Sequence, residues 1–175
     1  MGKVELRVAN VKDAPRLLEI YTHYVLHTAI SFEIDPPSLE EFTSRMETIQ
    51  KKYPYLVVVE DGKIMGYAYG QTFINRSAYD HCAELTIYLD KDAKKKGYGR
   101  MLYEELEKRL FAMGITNLYA CIGDPIVEDE YLNRNSEEFH SHMGFVKNGV
   151  FHKSGYKFGR YYNMIWMEKI LYDQL

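Results

Sequence analysis

The sequence has little of anything that would place it in an unusual class. It has 2 Cys, Cys82 and Cys121, too few and too far apart for a disulfide or zinc framework. Both read as buried free thiols in a reducing compartment. Only 5 Pro and 12 Gly are present, which excludes collagen-like or linker-dominated chain. Apolar runs such as Leu56 to Val59 fall far short of the ~20 residues that a membrane span needs. Basic residues are not in excess: 22 Lys+Arg against 25 Asp+Glu give a net charge of −3, which argues against a nucleic-acid partner. One clustered basic patch can still hold a small anion. Residues Met1 to Glu5 lead into no apolar stretch of the secretory kind. Met1-Gly2 starts like a myristoylation signal, but Leu6 stands where that signal needs Ser or Thr. A cytoplasmic protein without a membrane anchor is the expectation. His23 and His27 are four apart, with no acidic or Cys partner near them in sequence, so no metal is expected.

What is present is ordinary in amount, with one exception. Hydrophobic residues are 46% and charged residues 27%, the balance of a globular protein. A chain of 175 residues buries about 70% of its unfolded surface and reads as one domain over 1–175. The exception is 16 Tyr, which with 8 Phe and 1 Trp brings the aromatic share to 14%. Aromatics suit half-buried strand positions. They also suit a pocket whose walls need apolar bodies with hydroxyl tips.

No internal repeat or low-complexity tract interrupts the chain. Val4 to Val8 alternates as a strand. Asp13-Ala14-Pro15 reads as an N-cap with Pro in the first turn, followed by Leu17, Ile20, Tyr21, Tyr24 and Val25 at helical spacing. Ser38 with Glu41 three residues later is a capping box for a second helix. Tyr55 to Glu60, the turn Asp61-Gly62 and Ile64 to Tyr69 form a hairpin. Ala83 to Leu89 is the next strand. A helix from Gly99 to Met113, a strand from Leu118 to Ile122, a short helix from Ser136 to Met143, and strands at Phe145–Phe151 and Ile165–Ile170 complete the order. The pattern β-α-α-β-β-β-α-β-α-β-β predicts an α/β fold with a mixed central sheet of six to seven strands and helices on both faces.

The segment that carries chemistry runs from Glu84 to Arg100: a strand, a basic loop with two glycines two apart, and a helix. Glycines let successive backbone N–H groups converge, and a helix N-terminus adds partial positive charge. Lys94, Lys95, Lys96 and Arg100 add full charges around Gly97-Tyr98-Gly99. A diphosphate is the natural guest. The loop has neither the Gly-Lys-Ser/Thr of a Walker A motif nor the third glycine of a dinucleotide fingerprint.

Lys94-Lys95-Lys96-Gly97-Tyr98-Gly99 resembles the pyrophosphate loop, Gln/Arg-x-x-Gly-x-Gly/Ala, of the GCN5-related N-acetyltransferases, with Lys at the first position. Ala29-Ile30-Ser31-Phe32-Glu33, Asn75-Arg76-Ser77-Ala78-Tyr79-Asp80 and Ala83 to Leu89 are similar to the phosphinothricin and methionine sulfoximine subgroup. So is Asn133-x-x-Ser136-x-x-x-His140 followed by Met143-Gly144-Phe145. The chain departs from that pattern in the long acidic link Asp124 to Leu132, and at His81, where an aromatic is usual.

The resemblance implies direct attack of a primary amine on acetyl-CoA in a ternary complex, with acetyl-CoA as cosubstrate, no metal, and a homodimer. The acceptor implied is a small amino acid or analogue. The reaction needs a base, stabilisation of an oxyanion and a proton for the thiolate. Glu84 is the implied base, with pairing to Arg76 or Lys96 as its structural alternative. Backbone N–H groups around Ile87, Tyr88 and Leu89 are implied to meet the cofactor, because in this family the strand splays from its neighbour. Lys94, Lys95, Lys96, Gly97, Tyr98, Gly99, Arg100, Asn133 and Ser136 complete the implied cofactor site, although helix capping also explains Ser136. His140 orients substrate or relays a proton, or simply packs at the helix end. Arg76 is expected to hold the acceptor's acidic tail by paired hydrogen bonds, with Phe32 and Tyr79 as apolar walls. Tyr161 and Tyr162 line the same pocket or face the sheet. Two other functions stay open: acetylation of another amine (a polyamine, an antibiotic or a protein N-terminus), for which the acidic Glu128-Asp129-Glu130 run is an argument, and a non-catalytic CoA-binding sensor.

Overall fold

The computed structural model describes residues 2–93 and 95–172. Its strands are β1 Val4–Val8, β2 Tyr55–Glu60, β3 Lys63–Thr72, β4 Cys82–Leu89, β5 Asn117–Asp124, β6 Val146–Lys157 and β7 Arg160–Ile170. Its helices are α1 Ala14–His27, α2 Leu39–Gln50, α3 Tyr98–Ala112 and α4 Asn135–His142. The strands form one seven-stranded sheet in the order β1-β2-β3-β4-β5-β7-β6. All neighbours are antiparallel except β4 and β5, which run parallel and are joined through α3.

Period-two alternation divides the strand residues between two cores. In β2 every residue from Tyr55 to Val59 is buried, because helices cover both faces. Tyr55, Val57 and Val59 pack with Leu17, Ile20 and Val25 of α1 and Phe42 and Met46 of α2. Leu56 and Val58 pack with Leu102, Leu106 and Leu110 of α3.

Two local details differ from the sequence reading, and one agrees. Asp13 does not cap α1: its side chain makes no cap hydrogen bond there. It closes a capping box on the preceding short turn with Asn10 and pairs with Arg7 at 2.7 Å. Ser38 does cap α2, accepting from the Glu41 N–H at 3.1 Å. The β6–β7 hairpin is much longer than expected. It turns at Phe158-Gly159, both at positive φ, and two register shifts break the alternation along β6. A Phe in a left-handed turn position carries no turn signature, so the sequence hid this hairpin.

Candidate active site

The site begins where the sheet splits. β4 and β5 pair only at Cys82–Asn117, Ala83–Leu118 and Glu84–Tyr119, yet β4 continues to Leu89 and β5 to Asp124. Beyond Glu84 the strands diverge, and a cavity of about 260 Å³ opens between them. Its walls come from β4 (Glu84 to Tyr88), β5 (Ala120 to Gly123), the loop after α1, and α3 and α4. Backbone groups that β4 turns toward the split have no partner strand there, which is the splay that the resemblance implies.

Glu84 lies at the point of divergence. Burial raises its carboxyl above the usual range, and a hydrogen bond from Gln71 opposes this. It pairs with neither Arg76 nor Lys96. Lys96 instead meets Glu60 at 2.9 Å, and Arg76 is an exposed residue ahead of a short 3-10 turn. A raised carboxyl pKa moves a weak base toward usefulness. Across the cavity, Cys121 is exposed and not buried as the sequence suggested. Its thiol, set in the cavity wall, is pushed up to about 11, first by partial desolvation there and then by the Glu84 charge. A thiol held neutral is a poor nucleophile.

His140 is 3% exposed. Its Nδ1 lies 2.7 Å from the Ser136 carbonyl oxygen, which can only accept, so Nδ1 carries the proton. Nε2 therefore accepts from the Tyr103 hydroxyl at 2.8 Å. Burial lowers the imidazole to about 4, so it stays neutral near pH 7 and does not shuttle a proton as imidazolium. The geometry instead makes His140 the group that holds Tyr103. Tyr103 itself lines the cavity and was missed in the sequence, because Leu102-Tyr103 on a Leu-rich helix face reads as core.

The loop before α3 has the expected form. Gly97 sits at φ 81, with open space where a side chain would be, and Lys95 is also left-handed at φ 63. This curl turns the loop into the first turn of α3, where no acidic side chain offsets the helix dipole. Gly99 has another function: a Cβ there would lie 2.9 Å from the Phe139 ring, so glycine lets α3 and α4 close together. Of the basic residues, Lys96 is engaged by Glu60, and Arg100 reaches Glu104 at 3.3 Å. Lys94 lies outside the described residues. Tyr98 is buried with the α3 core, and its ring lies beneath Lys96 of the loop, 5.8 Å from its Nζ.

α4 begins at Asn135, so Ser136 is inside the helix and is not its cap. Asn133 accepts from the Asn135 N–H at 3.0 Å. Ser136 lines the cavity and Asn133 does not. Ile87 and Tyr88 also line it; Leu89 does not, and its carbonyl accepts from Tyr24.

Among the expected acceptor residues only Phe32 reaches the cavity. It lies over Gly155, where a Cβ would stand 2.7 Å from its ring. Arg76 and Tyr79 are exposed and do not line the cavity. Tyr162 is buried beside Phe32, whereas Tyr161 is 59% exposed. Glu33 joins the lining, held by Arg45 at 2.8 Å. The acidic link is not an open anionic face. Asp129 and Glu130 both bind Arg160, and Asp124 binds Arg134, so much of its charge is already matched. No group of three or more metal-ligating side chains occurs among the described residues. No helix among them is long and apolar enough to cross a membrane.

Residues 6–166 match the model of the acetyltransferase (GNAT) domain. A phosphinothricin N-acetyltransferase of Alcaligenes faecalis is 35% identical, over 95% of this chain and 82% of its own length. One from Streptomyces viridochromogenes is 30% identical, over 92% of this chain and 84% of its own. The crystal structure of a phosphinothricin acetyltransferase from Sinorhizobium meliloti, in complex with acetyl-CoA, superposes with a TM-score of 0.87 at 34% identity, covering 96% of this chain and 88% of that one. With a split sheet, a glycine-curled loop before α3 and a domain match over nearly its whole length, the chain belongs to the GNAT acetyltransferase family.

Proposed function

We propose that this protein transfers the acetyl group of acetyl-CoA to the primary amine of a small amino acid or analogue of the phosphinothricin and methionine sulfoximine or sulfone kind. The observation that carries the reading is Glu84, a carboxyl raised by burial at the point where β4 leaves β5 and facing the cavity.

The residues present fit acetyl-CoA. The Gly97 curl and the α3 N-terminus suit a diphosphate, with Lys95, Lys96 and Arg100 as surrounding charge. The open side of β4 at Ile87 and Tyr88 suits an amide-bearing arm, and Ser136 borders the same cavity. When bound, acetyl-CoA supplies an activated acetyl group as a thioester. Glu84 takes a proton from the acceptor's ammonium, directly or through water, and the neutral amine then attacks. Backbone N–H groups at the split stabilise negative charge developing on the acetyl oxygen. Tyr103, kept in place by His140, turns its hydroxyl proton from Nε2 to the leaving sulfur and is re-protonated, through water, by the second proton that the nitrogen loses as the amide forms. Neither Cys82 nor Cys121 lies in a nucleophile motif, so transfer is direct, without a covalent enzyme intermediate.

The same reading takes the chain as one domain over 1–175, supported by the continuous seven-stranded sheet. It also takes the protein as a cytoplasmic homodimer. Two free thiols fit a reducing compartment. Exposed Val146, Val150, Phe151 and Tyr156 on β6 offer apolar area for a second copy.

The test is thiol release from acetyl-CoA with phosphinothricin, methionine sulfoximine, methionine sulfone, spermidine and short peptides as acceptors. Turnover confined to the amino-acid analogues supports the proposal. Turnover confined to spermidine or peptides overturns the acceptor class, and binding of acetyl-CoA without any turnover overturns the enzyme.

A further inference from the structure

On the α1–α2 face of the sheet a ladder of cross-strand pairs leads away from Glu84. Glu84 lies opposite Gln71, Thr86 opposite Tyr69, and Tyr88 opposite Tyr67. Tyr55 of β2 flanks Tyr69 on the other side. Successive rungs are two residues apart, about 7 Å along the strand. Beyond the first rung these side chains, with Arg45, line a second cavity of about 130 Å³, which shares Thr86 and Tyr88 with the first.

The chemistry of this chamber is unusual for a protein core. Tyr55 and Tyr67 are 2% and 1% exposed, and their rings stack on each other and on Tyr69. Yet the hydroxyls of Tyr55, Tyr67 and Tyr88 make no hydrogen bond to another described residue. No buried side-chain oxygen among the described residues is sealed off without a partner, so these hydroxyls open on the chamber. Burial keeps all three phenols far from ionisation, so each is an O–H donor at neutral pH. Arg45 uses three N–H contacts on Glu33 and Glu41 out of a guanidinium's five donors. Its remaining donors have no acidic partner among the described residues.

We propose that this tyrosine-lined chamber is the tail subsite of the acceptor. It selects tails that end in sulfonyl-, phosphinyl- or carboxyl-type oxygens, received by the Tyr55, Tyr67 and Tyr88 hydroxyls and Arg45, which reach into the chamber from one and two rungs beyond the amine at Glu84. The proposal rests on the acetyl-transfer reading of the first cavity. Several donors lining one chamber favour a group with several acceptor oxygens, because a tail without them leaves the donors unmet. A cationic tail gains no charge there, since the phenols stay neutral and the neighbouring Glu33 is already paired with Arg45. Arg76 lies outside both cavities of the single chain.

The experiment compares kcat/KM for L-methionine sulfone, L-methionine and L-ornithine in the wild-type protein and in Tyr67→Phe and Tyr55→Phe. Neither substitution removes a hydrogen bond within the protein, and thermal unfolding checks the fold. The expected result is a wild-type preference for the sulfone over methionine that falls about 2- to 10-fold in each variant, the range of one neutral hydrogen bond. The proposal is overturned by a wild type that does not prefer the sulfone, by a preference for ornithine, by a sulfone-to-methionine ratio unchanged in both variants, or by an equal loss for all three acceptors. If acetyl-CoA binds but none of the three is acetylated, the acetyl-transfer reading fails for these acceptors. The chamber is then judged by calorimetry of methionine sulfone with the CoA-loaded protein. Binding weakened by Tyr67→Phe supports the subsite, and absent or unaltered binding refutes it.

Discussion

Replacing Tyr103 by Phe removes one oxygen and tests two parts of the argument together. The Tyr103 hydroxyl is the partner of His140 Nε2 at 2.8 Å, and the imidazole is 3% exposed. Without the hydroxyl, Nε2 is a buried acceptor with nothing to accept. That costs about 1–3 kcal/mol, or a fall in Tm of about 2–12 °C for a chain of this size. If Tyr103 also protonates the leaving thiolate, kcat falls by about 10²- to 10⁴-fold with little change in KM for acetyl-CoA. The double variant Tyr103→Phe/His140→Phe separates the effects, because removing both partners of a buried hydrogen bond is far less costly than removing one. Its Tm should recover most of the loss while kcat stays low. Thermal unfolding and thiol-release kinetics on the three variants give both readouts. A Tyr103→Phe enzyme with wild-type kcat refutes the proton-donor role. A double variant no more stable than the single one refutes the hydrogen-bond account of His140.

Other predictions concern charge and close approach. Glu84→Gln should lower kcat/KM about 10²- to 10⁴-fold and abolish the limb along which activity falls as pH drops through the ionisation of Glu84. Because burial raises that carboxyl, the ionised side chain opposes folding above its pKa. The Gln variant should therefore have a Tm at pH 7 no lower than wild type. His140 is held at about 4 when folded against about 6.5 when unfolded, so the unfolded chain binds the extra proton between those values. Stability from this residue is complete above pH 6.5 and lost toward pH 4, about 3 kcal/mol in all. Denaturant titrations across that range should show a flatter profile for His140→Phe. Gly155→Ala places a methyl 2.7 Å from Phe32, and Gly99→Ala places one 2.9 Å from Phe139, each costing about 1–3 kcal/mol of strain. The first should raise KM mainly for the acceptor and the second mainly for acetyl-CoA. Equal rises in both constants for both variants would contradict the assignment of the two sides of the sheet.

Much of the fold was legible because its signals are local. β2 and the Asp61-Gly62 turn announce a hairpin, and the Leu102, Leu106 and Leu110 spacing announces α3. The hairpin of β6 and β7 was underestimated because its turn is Phe158-Gly159 and bulges break its alternation. At the site, Glu84, Phe32, Ser136, His140 and the Gly97 loop were singled out through a family resemblance, and the structure brings the first four to one cavity. Arg76 and Tyr79 read as substrate contacts because a loop arginine beside a tyrosine suits an acidic tail. Both lie on the surface, and no pattern in the loop reveals which way it faces. Tyr103 and the tyrosines of the second chamber were hidden for the opposite reason: at core spacing, a tyrosine with a free hydroxyl is indistinguishable from one that only packs.

The sequence by itself determined the class of the fold, the order of its elements and the anion-binding form of the loop before α3. These depend on hydrophobic period, turn chemistry and helix starts, all written within a few residues. Only the tertiary structure decided that β4 and β5 part after Glu84–Tyr119. Only there did His140 lose its basicity to burial and take Tyr103 as partner. The acidic link likewise found Arg134 and Arg160 to neutralise it. A pKa, a free hydroxyl and an ion pair each depend on what lies within a few ångströms, and residues distant in sequence supply most of that environment.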